Sequence, residues 1–587
     1  MKKLINTPDS VVREMLEGAV ALAPGQAVLP GENVVVRRPL PPPDRKAVQA
    51  DGNPWPVAVL SGGGSGHEPA HAGYVGTGML AAAIAGNVFT SPSVDDVLAG
   101  LRAVTGSAGA VMIVKNYTGD RLNFGLAAEI ARAEGLQVEV VVVADDVALR
   151  GTVERGRRRG IAGTVLVHKV AGAAAAAGLR VQEVAALARR AAEGLGSMGV
   201  ALAGCTLPGA ARGGFDLAVD EIELGLGIHG EPGVARTGMK PADELVEVMV
   251  AAIADDLTLR AGDQVALLVN GLGATPAMEL DIVVRAALGR LHVRGIEPAR
   301  AWRGTLLSAL DMAGCSISLM RLDDELTRLL DAPTDAPAWP GPGRLNPQVV
   351  LPARAAAPLA SATAHGTPSP DGQALRRAAA AAAHALLAAE ATLTELDTRA
   401  GDGDLGASMT RAAQAVLDLP DAAWSSPTAA LAAMGNALRR VVGGSSGPFY
   451  ATALLRASRR LAESGSPAPA DWADAFRLAV QAVSDLGGAQ PGDRTMIDAL
   501  VPAAEALSSA LAGGEATPDA FRACAAAAGE GAQATAAMLP RLGRSSYLGA
   551  RALGIPDGGA VAVQVWLGAA CAAMTGRKGS DATAPAQ

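Results

Sequence analysis

A proline-rich stretch between residues 333 and 372 separates two parts of this chain whose sequence patterns differ. Its nine prolines are interspersed with Ala, Ser and Gly, which is typical of a semi-extended linker. The full length of 587 residues also exceeds what one hydrophobic core usually supports. The sequence therefore predicts an N-terminal domain at 1–332, a linker at 333–372, a C-terminal domain at 373–578 and a loose tail at 579–587.

The N-terminal domain alternates short apolar runs with glycine loops and helical stretches. Four of the runs cover residues 56–60, 110–115, 138–143 and 264–269. Continuous apolar runs that end at turn signals indicate buried strands, and their alternation with helices predicts an α/β fold. A helix predicted at 181–195 ends in glycine-rich sequence. We therefore expect two α/β lobes with a boundary near 190–200.

The C-terminal domain has a helical pattern almost throughout, interrupted at clusters of Gly, Pro and Ser. The spacing of these breaks predicts about eight helices of roughly 12 to 20 residues. The whole chain is thus expected to combine a two-lobed α/β half with an all-α bundle.

Composition argues against several classes of protein. The net charge is −8, and no stripe of Lys and Arg alternates with aromatic residues, so we expect no nucleic-acid partner. No apolar run reaches the roughly 18 to 20 residues of a membrane span, and charged residues interrupt the start of the chain where a signal peptide would be apolar. The four cysteines are far apart, which argues against a disulfide framework or a zinc site. These features predict a protein of the reducing cytoplasm.

A glycine loop, Ser-Gly-Gly-Gly-Ser-Gly-His-Glu-Pro at 61–69, follows the first predicted strand. Glycines let backbone N–H groups close around a small, oxygen-rich ligand, and His67 can then hydrogen-bond to the ligand or transfer a proton. A tight strand-to-helix turn is the alternative. The loop is not a Walker A motif, because no Lys-Ser or Lys-Thr pair follows it.

Lys115 and Asp120 follow the next predicted strand. Ligands of open α/β sheets bind outside the carboxyl ends of strands, so these residues share a candidate pocket with His67. Asp120 can act as the general base for a hydroxyl while Lys115 orients an oxygen. Solvated side chains at strand ends are the alternative.

His229 lies between glycines in 225–230, a segment that matches GxGxxG. No strong strand precedes it, and Glu231-Pro232 follows where a dinucleotide fingerprint requires a helix, so an NAD site is the weaker interpretation. A neutral imidazole in an open glycine loop can attack a carbonyl, and a plain hydrogen-bonding histidine is the alternative. We expect the remaining histidines to be structural or on the surface: His71, His168, His292, His365 and His384.

Three aspartates, Asp397, Asp402 and Asp404, occur within eight residues between two helices rich in Ala and Leu. Gly401 and Gly403 keep this loop flexible enough for the carboxylates to converge. Mg²⁺ takes a few carboxylates and completes its shell with water and phosphate oxygens. The cluster therefore predicts a magnesium site and a nucleotide in the C-terminal half.

Other polar loops of the C-terminal half suit a nucleotide as well. Ser445 and Ser446 precede a helix whose free N–H groups and dipole favour a phosphate. The loops that carry Arg494-Thr495 and residues 556–559 also lie between predicted helices. We expect these loops to gather with the aspartates at one end of the bundle, although simple interhelical turns are the alternative.

Together these motifs closely resemble those of the dihydroxyacetone kinase family. Gly-Gly-Gly-Ser-Gly-His-Glu-Pro, Lys-Asn-Tyr-Thr-Gly-Asp and Gly-Ile-His-Gly-Glu-Pro-Gly are similar to its substrate-binding K domain. Gly-Asp-Gly-Asp, Gly-Gly-Ser-Ser-Gly, Pro-Gly-Asp-Arg-Thr-Met and Gly-Arg-Ser-Ser-Tyr are similar to its nucleotide-binding L domain, which is an eight-helix barrel. The resemblance covers nearly the whole chain outside the linker and tail. Two domains in one chain resemble the single-chain, ATP-dependent form.

The resemblance implies that the chain phosphorylates dihydroxyacetone with ATP and Mg²⁺, as a homodimer in which the L domain of one chain faces the K domain of the other. It implies that His229 holds the ketone as a covalent hemiaminal, with His67 and Asp120 in acid–base roles. The substrate would be lined by Gly64, Ser65, Gly66, His67, Lys115 and Asp120. Mg²⁺ would be held by Asp397, Asp402 and Asp404, and the nucleotide would be bordered by Gly401, Asp402, Gly403, Asp404, Ser445, Ser446, Arg494, Thr495, Pro556, Asp557 and Gly558.

The sequence departs from the family pattern at three places. Leu405 stands where the family has Thr or Cys, Pro556-Asp-Gly-Gly replaces Asp-Pro-Gly, and Asn270-Gly271 replaces an Asn-Asn pair. Leu405 removes a hydroxyl that can face a phosphate, which affects nucleotide affinity but not the metal site. Two alternatives stay open, a kinase for another short ketose such as erythrulose and a non-catalytic regulator that binds ketose. The intact aspartates favour a kinase, since a pure binder does not need them.

Overall fold

The chain folds into two compact units, Met1–Leu351 and Pro352–Gln587. The computed structural model describes residues 2–42, 55–211, 213–350 and 367–575, so the predicted tail at 579–587 lies outside the described residues. The division falls inside the proline-rich stretch. The beginning of that stretch packs on the first unit, because Ala336 is buried and the Trp339 ring lies 4.9 Å from that of Trp302. A helix already begins at Pro370, so the last residues of the stretch are helical.

The first lobe of the N-terminal unit is built on a six-stranded sheet of order β1-β2-β4-β3-β5-β6. The four strands β3 to β6 pair in parallel, whereas β1 and β2 are antiparallel additions at one edge. The strands are β1 Gln26–Val28, β2 Val34–Arg37, β3 Ala58–Ser65, β4 Ala82–Val88, β5 Ala110–Lys115 and β6 Val138–Val143. The helices are α1 Val11–Ala21, α2 Val94–Val104, α3 Thr118–Ala133, α4 Thr164–Ala176 and α5 Val181–Glu193.

The second lobe has its own six-stranded sheet, of order β11-β10-β12-β7-β8-β9. Its pairs are antiparallel except for β10 with β11. The strands are β7 Leu195–Ala201, β8 Glu221–Leu224, β9 Ala235–Gly238, β10 Gln264–Gly271, β11 Glu297–Gly304 and β12 Gly314–Arg321. The helices are α6 Ala242–Asp256, α7 Ala277–Val293 and α8 Asp324–Asp331. The predicted two-lobed α/β architecture is confirmed.

The α4 helix lies at the centre of the N-terminal unit. Twelve of its residues, Thr164 to Ala175, are buried on every side, as expected for a helix that is apolar all round. One hydrophobic cluster joins α4 and α5 to the inner faces of both sheets, while α2 and α3 cover the outer face of the first sheet and α6 and α7 that of the second. The helices α4 and α5 thus bring the two lobes together into one core.

The C-terminal unit is all-α, with nine α-helices in the part of the chain that the structure describes. Each helix from α11 to α17 packs on the next, and α9 packs on both α11 and α17, so eight helices close a ring. The predicted eight-helix barrel is confirmed, with α10 as an additional connecting helix. The helices are α9 Pro370–Ala388, α10 Glu390–Ala400, α11 Leu405–Leu417, α12 Pro427–Val441, α13 Ser446–Ala462, α14 Pro469–Gly487, α15 Ile497–Ala512, α16 Thr517–Ala534 and α17 Gly558–Met574.

The ring surrounds a cavity of about 470 Å³ that all eight helices line, mainly with Ala, Leu, Met and aromatic side chains. Small alanines on facing helices leave this space unfilled. Among the described residues, no helix is both long and apolar enough to cross a bilayer.

The close approach of α4 to the backbone of Met79 generates a first prediction. A Cβ added at Gly172 would lie 2.2 Å from Met79 Cα, so Gly172→Ala must displace backbone in a packed core. We expect a loss of about 2–3 kcal/mol in unfolding free energy, measured by urea denaturation. Gly289→Ala in α7 is the matched control, because a Cβ there meets open space and should stabilise the helix by up to ~1 kcal/mol. Equal effects of the two substitutions would contradict the close packing of α4.

Candidate active site

The predicted glycine loop at 61–69 is strand as far as Ser65, because β3 pairs with β4 up to that residue, and the residues directly after β3 are held by the second lobe. The Gly66 carbonyl accepts from Leu310 N–H at 2.7 Å, and the His67 carbonyl accepts from Ser308 N–H at 3.1 Å. Asn270 holds the residues that make these bonds, since its Oδ1 accepts from Leu306 and Leu307 N–H at 2.8 and 2.9 Å. Residues 306–310 therefore form a brace that positions His67 across the junction of the lobes.

His67 and His229 meet at this junction, although 162 residues separate them in the chain. Their Nε2 atoms are 3.0 Å apart. His67 Nδ1 lies 2.7 Å from the Ser308 carbonyl oxygen, and His229 Nδ1 lies 2.8 Å from Glu231 Oε1. Glu231 also accepts from the His229 backbone N–H at 3.0 Å. A continuous hydrogen-bonded row thus runs from Glu231 through both imidazoles to Ser308.

The number of protons in this row follows from its acceptors. A carbonyl and a carboxylate can only accept, so both Nδ1 atoms carry a proton, and the contact between the Nε2 atoms needs one more. Burial acts to raise the pKa of Glu231, but the hydrogen bond and charge of His229 outweigh it and bring the pKa to about 2. Burial lowers the pKa of His67 well below its usual value, and Lys115 and His229 act in the same direction. His67 is therefore a weak base, which holds a proton on Nε2 less readily than a free imidazole does.

Aromatic rings enclose the two imidazoles. Phe89 stacks on His67 with ring centroids 5.1 Å apart, and it meets His229 edge-on at 5.1 Å. Tyr117 meets the other side of His229 at 4.7 Å. These rings pack around the imidazole of His229, whose side chain is 20% exposed. Sequence reasoning missed all three supporting residues, Phe89, Tyr117 and Glu231, although Tyr117 and Glu231 lie inside the motifs that it singled out.

Lys115 and Asp120 lie beside this pair, as predicted. A Cβ at Gly63 would lie 3.0 Å from Lys115 Nζ and 3.5 Å from Asp120 Oδ2, so glycine leaves the space between β3 and both charges open. Asp120 accepts from Ser91 Oγ at 2.5 Å. Burial lowers the pKa of Lys115, against the opposing charges of Asp120 and other carboxylates.

Two buried polar atoms at this place have no partner among the described residues, Lys115 Nζ and Tyr117 OH. A buried donor without an acceptor is costly, so these atoms mark where ligand oxygens fit. Of the predicted lining residues, Gly64 and Gly66 contact Phe89 closely, and Ser65 Oγ donates to the Gly86 carbonyl at 2.7 Å. The Ser65 hydroxyl is thus engaged with β4.

A second pair of histidines, His71 and His168, is buried in the N-terminal unit. His71 Nδ1 is 2.9 Å from His168 Nε2, and Ser61 Oγ approaches His71 Nδ1 at 3.4 Å. Both rings are buried, and their other nitrogens have no partner in the described part of the chain. Burial lowers the pKa of His168 to about 3, with Lys115 acting in the same direction. Sequence reasoning expected two separate structural or surface histidines, because nothing in the local sequence of either one indicates the other.

In the C-terminal unit, the three predicted aspartates converge. Asp397, Asp402 and Asp404 each offer an oxygen within 4.8 Å of the others. Asp397 Oδ2 accepts from the N–H groups of Asp404 and Leu405, at 2.9 and 3.1 Å, where α11 begins. A set of three hard oxygens fits Mg²⁺. The start of α11 holds the loop in this shape.

The remaining predicted loops lie at the same end of the ring. Consecutive ring helices alternate in direction, so α11, α13, α15 and α17 all begin at one end. Residues 401–404, 445–446, 494–495 and 556–558 precede or open these four helices. A Cβ at Gly558 would lie 2.8 Å from Leu405 Cδ2, which brings the 556–558 turn next to the aspartate loop. Four helix N-termini thus present their positive ends together, an arrangement that favours phosphate.

Arg494 and Asp557 are both placed inside this end of the unit. Arg494 is 1% exposed and donates to the Ile555 carbonyl at 2.8 Å, so its guanidinium shapes the turn before α17. Its Nε and Nη1 have no partner in the described residues. Asp557 caps α17 by accepting from Ala560 N–H at 2.9 Å. Burial raises the pKa of Asp557 to about 6, although Ala560 N–H and Arg494 act against it.

Comparison with known proteins gives one consistent result. A family model described as the Dak1 domain matches residues 17–338, and one described as the DAK2 domain matches residues 399–572. The human protein named triokinase/FMN cyclase is 41% identical over 585 residues, covering 96% of this chain and 97% of that one. The D-erythrulose kinase of Mycolicibacterium smegmatis is 38% identical over 574 residues, covering 96% and 97%. The crystal structure of the dihydroxyacetone kinase from C. freundii in complex with AMP-PNP and Mg²⁺ matches with a TM-score of 0.61 and 34% identity, over 97% of this chain and 99% of that one.

The buried histidine pair behind the site makes stability sensitive to acid. His71 and His168 have lowered pKa values in the folded chain, whereas unfolding returns them to about 6.5. The unfolded chain therefore binds more protons, and stability falls as the pH drops from about 6.5 towards 3. The unfolding free energy of the wild type should fall between pH 7.5 and pH 5.5. We expect this fall to be about 1.4 kcal/mol smaller in His168→Gln, which lacks one of the two imidazoles. His384→Gln, at an exposed position of α9, should leave the fall unchanged, and an identical pH slope in both variants would contradict the assignment.

Proposed function

Since the chain belongs to the dihydroxyacetone kinase family, we propose that it transfers the γ-phosphoryl group of ATP to the terminal hydroxyl of a short ketose. Dihydroxyacetone is the first candidate substrate and dihydroxyacetone phosphate the product. The observation that carries this proposal is the 3.0 Å contact between His229 Nε2 and His67 Nε2 beside the rings of Phe89 and Tyr117. It pairs a nucleophilic nitrogen with a group that can receive and pass on its proton.

Capture of the ketone follows from the proton count. The proton shared by the two Nε2 atoms moves onto His67, and His229 Nε2 then attacks the carbonyl carbon while the carbon–oxygen π bond breaks. His67, whose pKa burial holds low, passes that proton to the developing alkoxide. The product is a hemiaminal with a hydroxyl in place of the carbonyl and one positive charge on the substituted imidazole. Glu231 stabilises that charge through His229 Nδ1.

The same pocket supplies the groups for phosphoryl transfer. Asp120 can accept the proton of the terminal hydroxyl, and its hydrogen bond from Ser91 Oγ keeps the carboxylate oriented. The unpartnered Lys115 Nζ and Tyr117 OH suit the remaining oxygens of the ketose. Such transfer depends on positioning and charge neutralisation more than on covalent work by the protein.

The helical unit supplies the nucleotide side. Asp397, Asp402 and Asp404 would hold Mg²⁺, which neutralises phosphate charge when it is bound. The N-termini of α11, α13, α15 and α17 would bind phosphate oxygens, with Ser445, Ser446 and Thr495 beside them. Leu405 contributes contact with Gly558 instead of a hydroxyl. We further propose a cytoplasmic homodimer whose K and L domains face each other across chains, on the family resemblance.

A kinase for erythrulose is the second candidate, because the relative from Mycolicibacterium smegmatis bears that name. Both ketoses carry a carbonyl next to a terminal hydroxymethyl group, so the capture step is the same for both. ADP release measured with dihydroxyacetone, erythrulose, glyceraldehyde and glycerol ranks the substrates by kcat/KM. A family regulator without activity would release no ADP with any of the four.

Removal of a metal ligand should separate turnover from ketone binding. We expect Asp402→Asn to lower kcat by roughly 10²-fold or more, because charge neutralisation at the phosphates is lost. Ketone capture in the N-terminal unit should be unchanged. Asp418→Asn, at the opposite end of α11, is the control and should keep wild-type ADP release. Wild-type turnover in Asp402→Asn would defeat the magnesium assignment.

Covalent capture predicts selectivity for carbonyl compounds over glycerol, which has nearly the same size and hydroxyls. Intact-mass spectrometry of the protein soaked with dihydroxyacetone, after mild reduction if the adduct is labile, should show one added ketose, localised to His229. We expect His229→Ala to lose both the adduct and the selectivity. Comparable turnover of glycerol by the wild type, or an undiminished adduct in His229→Ala, would rule out this mechanism.

A further inference from the structure

A second cavity, of about 690 Å³, lies in the N-terminal unit at the end of β3 opposite to His67. Its walls come from the residues before β3, the end of β2, and the turn between α4 and α5. The eight residues of β3 span about 23 Å at roughly 3.3 Å per residue, so the cavity is well separated from the candidate active site. None of the residues assigned above to the ketose or the nucleotide lines it.

The charges around this cavity are of one sign. Arg37, Arg38 and Arg180 line it, and the described lining contains no Asp or Glu. Arg180 pairs with Glu183 at 2.7 Å. Arg37 and Arg38, in contrast, form no ion pair with any described residue: their recorded hydrogen bonds go to the carbonyls of Gly76 and Pro24. Two guanidinium charges thus border the cavity without an ion pair to any residue that the structure describes, although the charge of Asp335 acts on Arg37.

Arg37 is the more constrained of the two. It ends β2 and is partly buried, and burial lowers its pKa, against the opposing charge of Asp335. Asp335 is itself committed to Thr77, since it accepts from the Thr77 backbone N–H and from Oγ1 at 3.1 Å. A guanidinium carries five N–H donors in a planar fork that matches phosphate. Apart from the bond to the Gly76 carbonyl, the donors of Arg37 have no partner among the described residues, so they can serve a ligand.

Apolar side chains form a large part of the remaining wall. Trp55, Val59, Met79 and Leu179 line the cavity, and Trp55 is an aromatic surface that a planar or hydrocarbon group can contact. Gln182 adds an amide at the start of α5. A ligand that matches both the arginines and the apolar side chains has an anionic group at one end and an apolar group at the other.

We propose that this cavity is a binding site for a small organic phosphate, with Arg37 and Arg38 holding the phosphate and Trp55 contacting the organic group. A phosphate monoester has a charge near −2 at neutral pH, which balances two guanidiniums that form no ion pair within the described part of the chain. Its oxygens accept the bidentate hydrogen bonds that Arg forms best. The site is independent of the proposed kinase activity.

The test uses phenyl phosphate as the probe, titrated into the full-length protein by calorimetry. We expect one site per chain, affinity for phenol at least tenfold lower, and weaker binding of phenyl phosphate at high salt. Arg37→Gln should lower the affinity at least tenfold. Arg328→Gln, an exposed arginine of α8 away from the cavity, is the matched control and should bind phenyl phosphate like the wild type.

Arg38→Gln keeps the test decisive if Arg37→Gln does not fold, because Arg38 is exposed and its loss removes no buried contact. We expect it to lower the affinity roughly fivefold or more, with an unchanged unfolding midpoint in urea. Wild-type affinity for phenyl phosphate in folded Arg38→Gln and Arg37→Gln would overturn the proposal. So would the absence of binding heat with the wild type, or equal affinity for phenol and phenyl phosphate.

Discussion

The hydrogen bonds between Gly66 and His67, directly after β3, and residues 306–310 hold the candidate active site together. His67 belongs to the first lobe and His229 to the second, and neither lobe alone contains the pair. The brace supplies the Ser308 carbonyl that determines which His67 nitrogen is protonated, and Tyr74 OH reinforces it by donating to the Leu306 carbonyl at 2.6 Å. Because these groups are buried, water does not compete for them, and the geometry of the two imidazoles is fixed before any ligand enters.

Sequence patterns predicted the fold class, the strands β3, β5, β6 and β10, and several residues that the structure brings together. Apolar runs that end at glycine loops predicted β3 and β5, and the rule that ligands bind at strand ends then placed His67, Lys115 and Asp120 together. The aspartates close to each other in sequence were predicted to converge, and they do. Each of these predictions depends only on local sequence or on one parallel sheet. In a parallel sheet all strands run in the same direction, so their carboxyl ends lie at the same edge.

Other features depend on contacts that no local pattern encodes. The approach of His71 to His168 joins residues 97 positions apart through the packing of α4 on the first sheet. Arg494 was predicted at the nucleotide, yet its side chain is buried and donates to carbonyls about 60 residues later. Trp339 was expected in the linker, but its ring packs on that of Trp302. Contact between the two indole rings offsets the conformational entropy that is lost when this proline-rich segment becomes ordered.

The candidate ketose pocket and the aspartate loop expose their polar groups to different degrees, and the difference matches the chemistry proposed for each. The candidate ketose pocket buries unpartnered donors and the imidazole of His67, and the His229 side chain is 20% exposed, so charges there act in a medium of lower dielectric constant than water. The aspartate loop leaves Asp402 and Asp404 exposed, and four helix N-termini present N–H groups beside it. A hydrated cation and a triphosphate need such an open site, since Mg²⁺ loses its water reluctantly. One continuous core could not provide both environments side by side, and this is a physical reason for two separately folded units in one chain.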